Sequence, residues 1–541
     1  MKMKKSTQPV GTRQNTGGGI SKAGAFHLLS ISLLMLVCLI VYYNSLSNEF
    51  VFDDNATIVE NKHLKHPGKF IGSLFNHSYF EIANLEASYR PIATLSYFLI
   101  YSIAGLDPFY YHLTSLLFHI LNVILVYRLT HLILRNHLGA LIAGLLFACH
   151  PALTEAVNCI SYNEDLLAAF FFLTSLIFYI RLEAENFTSN IRNYALTLLF
   201  YFLGLLSKEM AITLPAIILL YDLALRDADG HPLTVNHLLT TLKKRKYYYS
   251  GYIAVSLVYL LIRFFILTSP RKFLKPVSAD LFERIIYLPG HIFSFIRLAL
   301  FPNNLTADYV FSYPNSFIDS MNLIGFAVVM GLAGATFFIY RYSKEIFFGI
   351  WWFLITLFPV YNLIVIYHPF AERYLYLPSI GLCLVFPIAV SALARRRFRN
   401  PSTANRVTLI PMIVILSIFA TTTVARNRDW LNNFVLWSET VRSSPNSPIA
   451  RGGLGMAYLD RGMLDKALEQ FQITMKLFPS GHKSYYNLGL VYHQKGDWKK
   501  AVEYFSRSVA IYPESIRAHY NLGTLYAMRG LMDLAIEHFV R

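Results

Sequence analysis

AFHLLSISLLMLVCLIVYYNSL, Ala25 to Leu46, is followed within a few residues by FVFDDNATIVENK, Phe50 to Lys62. The first stretch carries no acidic or basic charge and is long enough, as a helix, to cross a hydrocarbon core of roughly 30 Å. It is too long and too tyrosine-rich at its end for a cleaved signal, and no small-residue cleavage site follows it, so it is expected to stay as an anchor. The second stretch sets two adjacent carboxylates, Asp53 and Asp54, just where such a helix would leave the membrane.

The rest of the chain agrees with a polytopic membrane protein. Of 541 residues, 55% are hydrophobic and only 15% charged, against about 25% charged in ordinary soluble domains; the mean hydropathy is +0.42. A net charge of +16 would suggest nucleic acid in a soluble protein. Here the Lys and Arg residues lie in short loops between apolar runs, which encodes topology and excludes a nucleic-acid partner. The four cysteines, Cys38, Cys149, Cys159 and Cys383, have neither metal-ligand spacing nor a disulfide framework and read as packing residues.

The basic tail, residues 1–24, should remain cytoplasmic, which puts the first loop, residues 47–111, and its acidic pair outside. Further spans are expected near 112–133, 138–156, 165–181, 194–207, 210–225, 248–268, 321–340, 346–365, 373–394 and 407–424, eleven in all within residues 25–424. Pro91 to Ala104 is too short to cross. Phe282 to Leu300 is long enough, but counting it would put Arg395, Arg396, Arg397 and Arg399 outside. Laid in the interface instead, it leaves them cytoplasmic with Arg226, Lys243 to Lys246, Arg341 and Lys344. The polar clusters then emerge on one face: Asp53-Asp54, His150 to Asp165, Ser207 to Glu209, Thr306 to Tyr309 and Tyr367 to Arg373.

After Val424 a repeat begins. Leu454-Gly455, Leu488-Gly489 and Leu522-Gly523 are 34 residues apart, as are Tyr458, Tyr492 and Tyr526, Ala467, Ala501 and Ala535, and Phe471, Phe505 and Phe539. This is the tetratricopeptide register. The units are 448–481, 482–515 and an incomplete 516–541, and Trp437 and Pro445 mark residues 425–447 as a degenerate half-repeat that joins the array rigidly to the membrane domain. The whole is an all-α chain, a multi-helix membrane domain followed by an α-solenoid on the non-cytoplasmic side, whose groove is suited to an extended peptide.

None of the soluble-enzyme motifs GxSxG, Walker loop, HExxH or CxxC is present. An acidic pair at a membrane cavity can bind a cation, relay protons or act as a general base. Lys208, His368 and Arg373 offer donors for a phosphate. Base and phosphate binder together suit transfer from a lipid-phosphate sugar, whose tail lies in the bilayer and whose phosphate sits at the interface. A structural salt bridge from Asp54 to Arg90 or Arg373 is the competing reading.

FVFDDNATIVEN, SYRPIATLSYFLIY (88–101), DPFYYHLTSLLFHILN (107–122), HPALTEAVNCISYNEDLLA, LLSKEMAITLPA and AERYLYLPSIGLCL, in this order and followed by the repeats, resemble the transmembrane and tetratricopeptide-containing protein O-mannosyltransferases. The resemblance runs from about Phe50 to Arg541. It implies a GT-C glycosyltransferase fold, a polyprenyl- or dolichyl-phosphate mannose donor, inverting transfer to Ser or Thr hydroxyls, and neither metal nor other cofactor. It implies that Asp53 or Asp54 is the base, with Asp54 slightly favoured. Arg90, His150, Glu155, Asp165, Lys208, Glu209, His368, Glu372 and Arg373 are then expected to contact the donor or support those that do. Where the family often carries Gly-Arg-Ala-Asp, this chain has Tyr162-Asn163-Glu164-Asp165, one cation fewer. Transfer of another sugar or to a glycan, or a non-catalytic scaffold, are the alternative functions. The few cysteines and short array favour a bacterial inner membrane over an endoplasmic reticulum.

Overall fold

The computed structural model describes residues 22–541 except 75, 77, 83–88, 183–186, 227–232, 267–279, 311–318, 367 and 399. The basic tail up to residue 21, and Arg399 of the arginine cluster, lie outside the described residues. All regular elements among those described are helical.

The membrane domain begins with α1 (Lys22–Tyr42), extended by a 3-10 turn to Ser47. Then follow α2 (Pro91–Ala104), α3 (Pro108–Leu134), α4 (His137–Cys149), α5 (Asn163–Ile180) and α6 (Phe187–Ser207). The second half holds α7 (Leu214–Tyr221), α8 (Lys246–Leu261), α9 (Leu281–Leu300), α10 (Ser320–Tyr342), α11 (Lys344–Leu357), α12 (Ser379–Arg397) and α13 (Pro401–Asn427). Helix occurs at each of the eleven expected positions, but among the described residues only six helices are long and apolar enough to span, or seven if a bent pair is one span.

The physical reasons for the difference are local. His137–Cys149 and Pro151–Asn158 form the bent pair, at 55° to each other. Pro151 cannot continue a helix, and His150, extended at φ −69° and ψ 118°, caps the following turn through its ring. The 210–225 segment resolves into a 3-10 turn (Glu209–Thr213), the short α7 and a π turn (Asp222–Arg226). The expected 346–365 span stops as regular α-helix at Leu357, and a 3-10 turn covers Phe358–Val360.

Helix α9, the segment left out of the span count, packs chiefly against α10. Near its start the Arg284 guanidinium donates to the Leu363 carbonyl (3.0 Å), and its middle meets α10 where Gly290 N donates to Asn322 (3.3 Å). Its end reaches His150, whose Nε2 bonds the Ala299 carbonyl at 2.9 Å. Asn322 is in the first turn of α10 and His150 follows the last residue of α4.

Helices α11 and α12 cross with backbones touching. A Cβ on Gly381 would collide with the Gly349 carbonyl oxygen and crowd Trp352, and Trp352 is buried with its indole N–H donating to the Leu377 carbonyl (2.9 Å).

The half-repeat is a 3-10 turn (Arg428–Trp430) followed by α14 (Asn433–Ser443). The repeats are the pairs α15 (Pro448–Asp460) with α16 (Leu464–Leu477), α17 (His482–Gln494) with α18 (Trp498–Ile511), and α19 (Ile516–Ala527) with α20 (Met532–Val540). Each pair turns on a glycine with positive φ, Gly462, Gly496 and Gly530 at +70°, +78° and +74°, a conformation that disfavours any Cβ. The membrane domain grips this array through the Glu49 N–H on the Leu431 carbonyl (2.9 Å) and the Ser447 hydroxyl on Asp308 (2.5 Å).

Gly381→Ala should therefore force α11 and α12 apart and lower stability by about 1–3 kcal/mol, measured as a fall in melting temperature in detergent; an unchanged melt would mean that the crossing is not tight.

Candidate functional site

The polar layer is held together by amides at its base. The Asn158 side chain donates to Asn427 (2.8 Å) and Asn48 donates to Asn158 (3.2 Å). Asn427 also donates to the Val41 carbonyl (2.8 Å) and to Asn44 (2.9 Å). Asn48, Asn158 and Asn427 are all buried, and they join the exits of α1 and α13 to the bent segment after α4.

On this base sits the acidic loop. Phe52 has φ +55°, a left-handed conformation that costs a bulky residue of order 1–3 kcal/mol. It is held by its N–H on Asn433 (3.0 Å) and by edge-to-face contact with Tyr162, His368 and Trp437. The turn sends the two carboxylates to different places. Asp54 is fully buried and accepts from the Ser161 N–H (2.7 Å), the Ser161 hydroxyl (2.6 Å) and Val51 N–H (3.1 Å). Burial pushes its pKa up to about 6, against the pull of those donors. Asp53 is half-buried and accepts from the Tyr162 hydroxyl at 2.8 Å. Among the contacts that hold Asp54, neither Arg90 nor Arg373 appears, so the salt-bridge reading fails and Asp54 is instead the loop's anchor. Asp53 is the more accessible carboxylate of the pair.

Arg373 lies under the same tyrosine. Its guanidinium stacks 4.1 Å from the Tyr162 ring centre and pairs with Glu155, which also accepts the Arg373 backbone N–H (2.8 Å). Lys208 is buried between Asp165 (2.6 Å) and Glu164 (3.0 Å). Arg90 bonds Glu164 (2.5 Å) and grips Glu209 with two N–H groups (3.0 and 3.1 Å), and Arg263 adds a third contact to Glu209 (3.0 Å). Lys208 and Arg373, expected as phosphate donors, are thus already matched by carboxylates and organise the layer. His150 turns the chain and bonds Ala299, while His368 lies 3.6 Å from Asp308.

Glu372 faces a cation outside the motifs, Arg426. One of its oxygens, Oε1, accepts from the Thr306 N–H (2.6 Å), Tyr309 hydroxyl (3.1 Å) and Arg426 (3.2 Å), and Oε2 is buried with no hydrogen-bond partner among the described residues. Burial raises its pKa to about 7 despite Arg426. Arg426 also bonds Asp429 (2.9 Å), and its Nε is buried without a partner among the described residues. Arg426 edges a cavity of about 880 Å³ whose wall is otherwise mainly apolar, including Leu146, Val385, Phe386, Ile415 and Phe419. Sequence reasoning missed Arg426, for which a charge directly behind the last apolar run was the available signal, and it placed Ser161, Tyr162 and Asp308 inside polar clusters without giving them a role.

The fold and this layer define a helical integral-membrane domain with a tetratricopeptide solenoid. Residues 453–516 match the tetratricopeptide repeat family. The chain is similar to Protein O-mannosyl-transferase TMTC3 of Mus musculus, 26% identical over 482 residues, covering 83% of this chain and 51% of that protein. It is similar to Protein O-mannosyl-transferase TMTC1 of Homo sapiens, 27% identical over 524 residues, covering 87% and 57%, and to TMTC2 of Mus musculus, 34% identical over 224 residues, covering 38% and 25%. The chain is a relative of the transmembrane and tetratricopeptide-containing proteins, as its motifs imply, and spans about half the length of the curated relatives TMTC3 and TMTC1 that it matches.

Two outcomes follow from these contacts. An acid whose folded pKa is raised gives its full stability below the ordinary carboxyl range and loses it as pH rises through the folded value, here about 6. Across pH 4 to 7 the melting temperature of the native protein should fall relative to Asp54→Asn, by the equivalent of about 3 kcal/mol at most; parallel profiles would contradict the burial. Arg373→Ala strands the buried Glu155 and should cost about 3–5 kcal/mol, visible in the same melts as a large drop.

Proposed function

We propose that the chain is a membrane glycosyltransferase that moves mannose from a polyprenyl- or dolichyl-phosphate donor to Ser or Thr hydroxyls of proteins on the non-cytoplasmic face. The names of its relatives support the reaction class. The observation that carries the reading is that an accessible carboxylate, Asp53, and a mainly apolar cavity edged by Arg426 and Asp429 belong to one hydrogen-bonded layer. The two are linked through Glu372-Arg373, since Glu372 bonds Arg426 and Arg373 stacks on the tyrosine that holds Asp53.

In this reading the lipid tail lies in the cavity and the phosphate meets Arg426 by taking the place of Asp429, which shares its guanidinium at the cavity's edge. Asp53, oriented by Tyr162, takes the proton of the acceptor hydroxyl as the oxygen attacks the sugar carbon and the phosphate departs, with inversion. Arg426 stabilises the charge that develops on the leaving phosphate. No cofactor beyond the donor is assigned. The repeats hold the acceptor: Arg517 of the third unit bonds Glu60 of the first loop (3.0 Å), so the array curves back towards the acidic pair. The positive-inside pattern supports an outward-facing layer, and the few cysteines support a bacterial inner membrane as the compartment.

The test is incubation of the purified protein with lipid-phosphate mannose and a Ser/Thr-rich peptide, followed by mass spectrometry. A gain of one hexose is expected. Asp53→Asn should lower that gain at least about 100-fold with an unchanged melt, and Arg426→Lys should raise the donor KM. Undiminished transfer by Asp53→Asn would remove Asp53 as the base.

A further inference from the structure

Three histidines outside this layer meet at the other end of α1. His27 lies near the start of α1, His131 in the last turn of α3 and His137 in the first turn of α4. The turn between the last two is made by Arg135, at φ +50°, and by Asn136, whose side chain caps α4 through the Gly139 N–H (3.0 Å). This brings His131 and His137 to a ring separation of 4.3 Å, and His27 lies 4.6 and 4.4 Å from them. One ring nitrogen from each falls within 4.8 Å of the other two.

Packing alone would leave these nitrogens poorly served. Nδ1 of His131 and Nδ1 of His137 are buried and have no hydrogen-bond partner among the described residues, a cost of about 1–3 kcal/mol for each such group. Nδ1 of His27 is 2.7 Å from the Tyr127 hydroxyl. With that nitrogen as the donor, Nε2 keeps its lone pair, which is how a neighbouring hydroxyl or carboxylate commonly prepares a histidine ligand.

We infer that His27, His131 and His137 form a three-histidine site for a borderline divalent transition metal, Zn²⁺ or a metal of similar preference. Three neutral imidazoles suit zinc, copper or nickel and do not suit calcium or magnesium, which take oxygen ligands. The site joins the anchor helix to the α3–α4 hairpin. His27 and Ser47 are separated by about 30 Å of helix, so the metal stands across the membrane domain from Asp53 and acts as a clamp on α1.

The test uses the full chain, purified in detergent without a histidine tag and titrated with Co²⁺ and Zn²⁺. One equivalent of Co²⁺ should bind with visible d–d absorption, be displaced by Zn²⁺, and raise the melting temperature. His131→Ala and His137→Asn should each weaken binding at least tenfold, and the combined His27→Ala, His131→Ala, His137→Ala variant should bind none. Native protein that binds no cobalt, or binding that is unchanged in the triple variant, overturns the inference; the first result does not depend on whether any variant folds.

Discussion

The buried Asp54 carboxylate is the constraint on which the polar layer depends. Its three short hydrogen bonds to Ser161 and Val51 tie the loop that leaves α1 to the start of the α5 segment, some hundred residues away in sequence. The asparagine contacts among residues 44, 48, 158 and 427 brace the same junction from below. With Asp54 turned inward, Phe52 is driven into its left-handed conformation and Asp53 is left facing Tyr162. The chemistry proposed for Asp53 rests on the structural work of its neighbour.

Around that junction charge is balanced at short range. Arg373 answers Glu155, Lys208 answers Asp165 and Glu164, and Arg90 with Arg263 answers Glu209. Buried pairs of this kind add little net stability over apolar packing, but losing one member is costly. Their effect is geometric: five stretches of chain that leave the helix bundle separately are locked in one arrangement. Arg426 differs, because one of its N–H groups has no partner among the described residues and it borders the apolar cavity.

Much of this was legible in the sequence. The 34-residue register gave the solenoid, and of the residues grouped by parity the structure links Asp53 to Arg373 through Tyr162, pairs Arg373 with Glu155 and pairs Lys208 with Asp165. Which aspartate is buried and which is accessible was not legible, because it turns on the φ of Phe52, and apolar periodicity carries no trace of that angle. Among the described residues six helices, or seven with the bent pair, are long and apolar enough to span unbroken, because Pro151 and the irregular turns around α7 interrupt the helix within other apolar stretches. Arg426 lay outside the motifs. His27, His131 and His137 are separated by an entire span, and only tertiary packing reveals them as neighbours.

The hydrogen bonds from Ser447 to Asp308 and from Phe52 to Asn433 have a mechanical meaning. They fasten the solenoid's root to the same loops that frame the acidic pair, so the array is a bracket of fixed bearing and not a tethered arm. The pitch of the 34-residue units is therefore set from the root outwards, and a shift at Asp308 or Asn433 would swing the far end of the array by more than the near end.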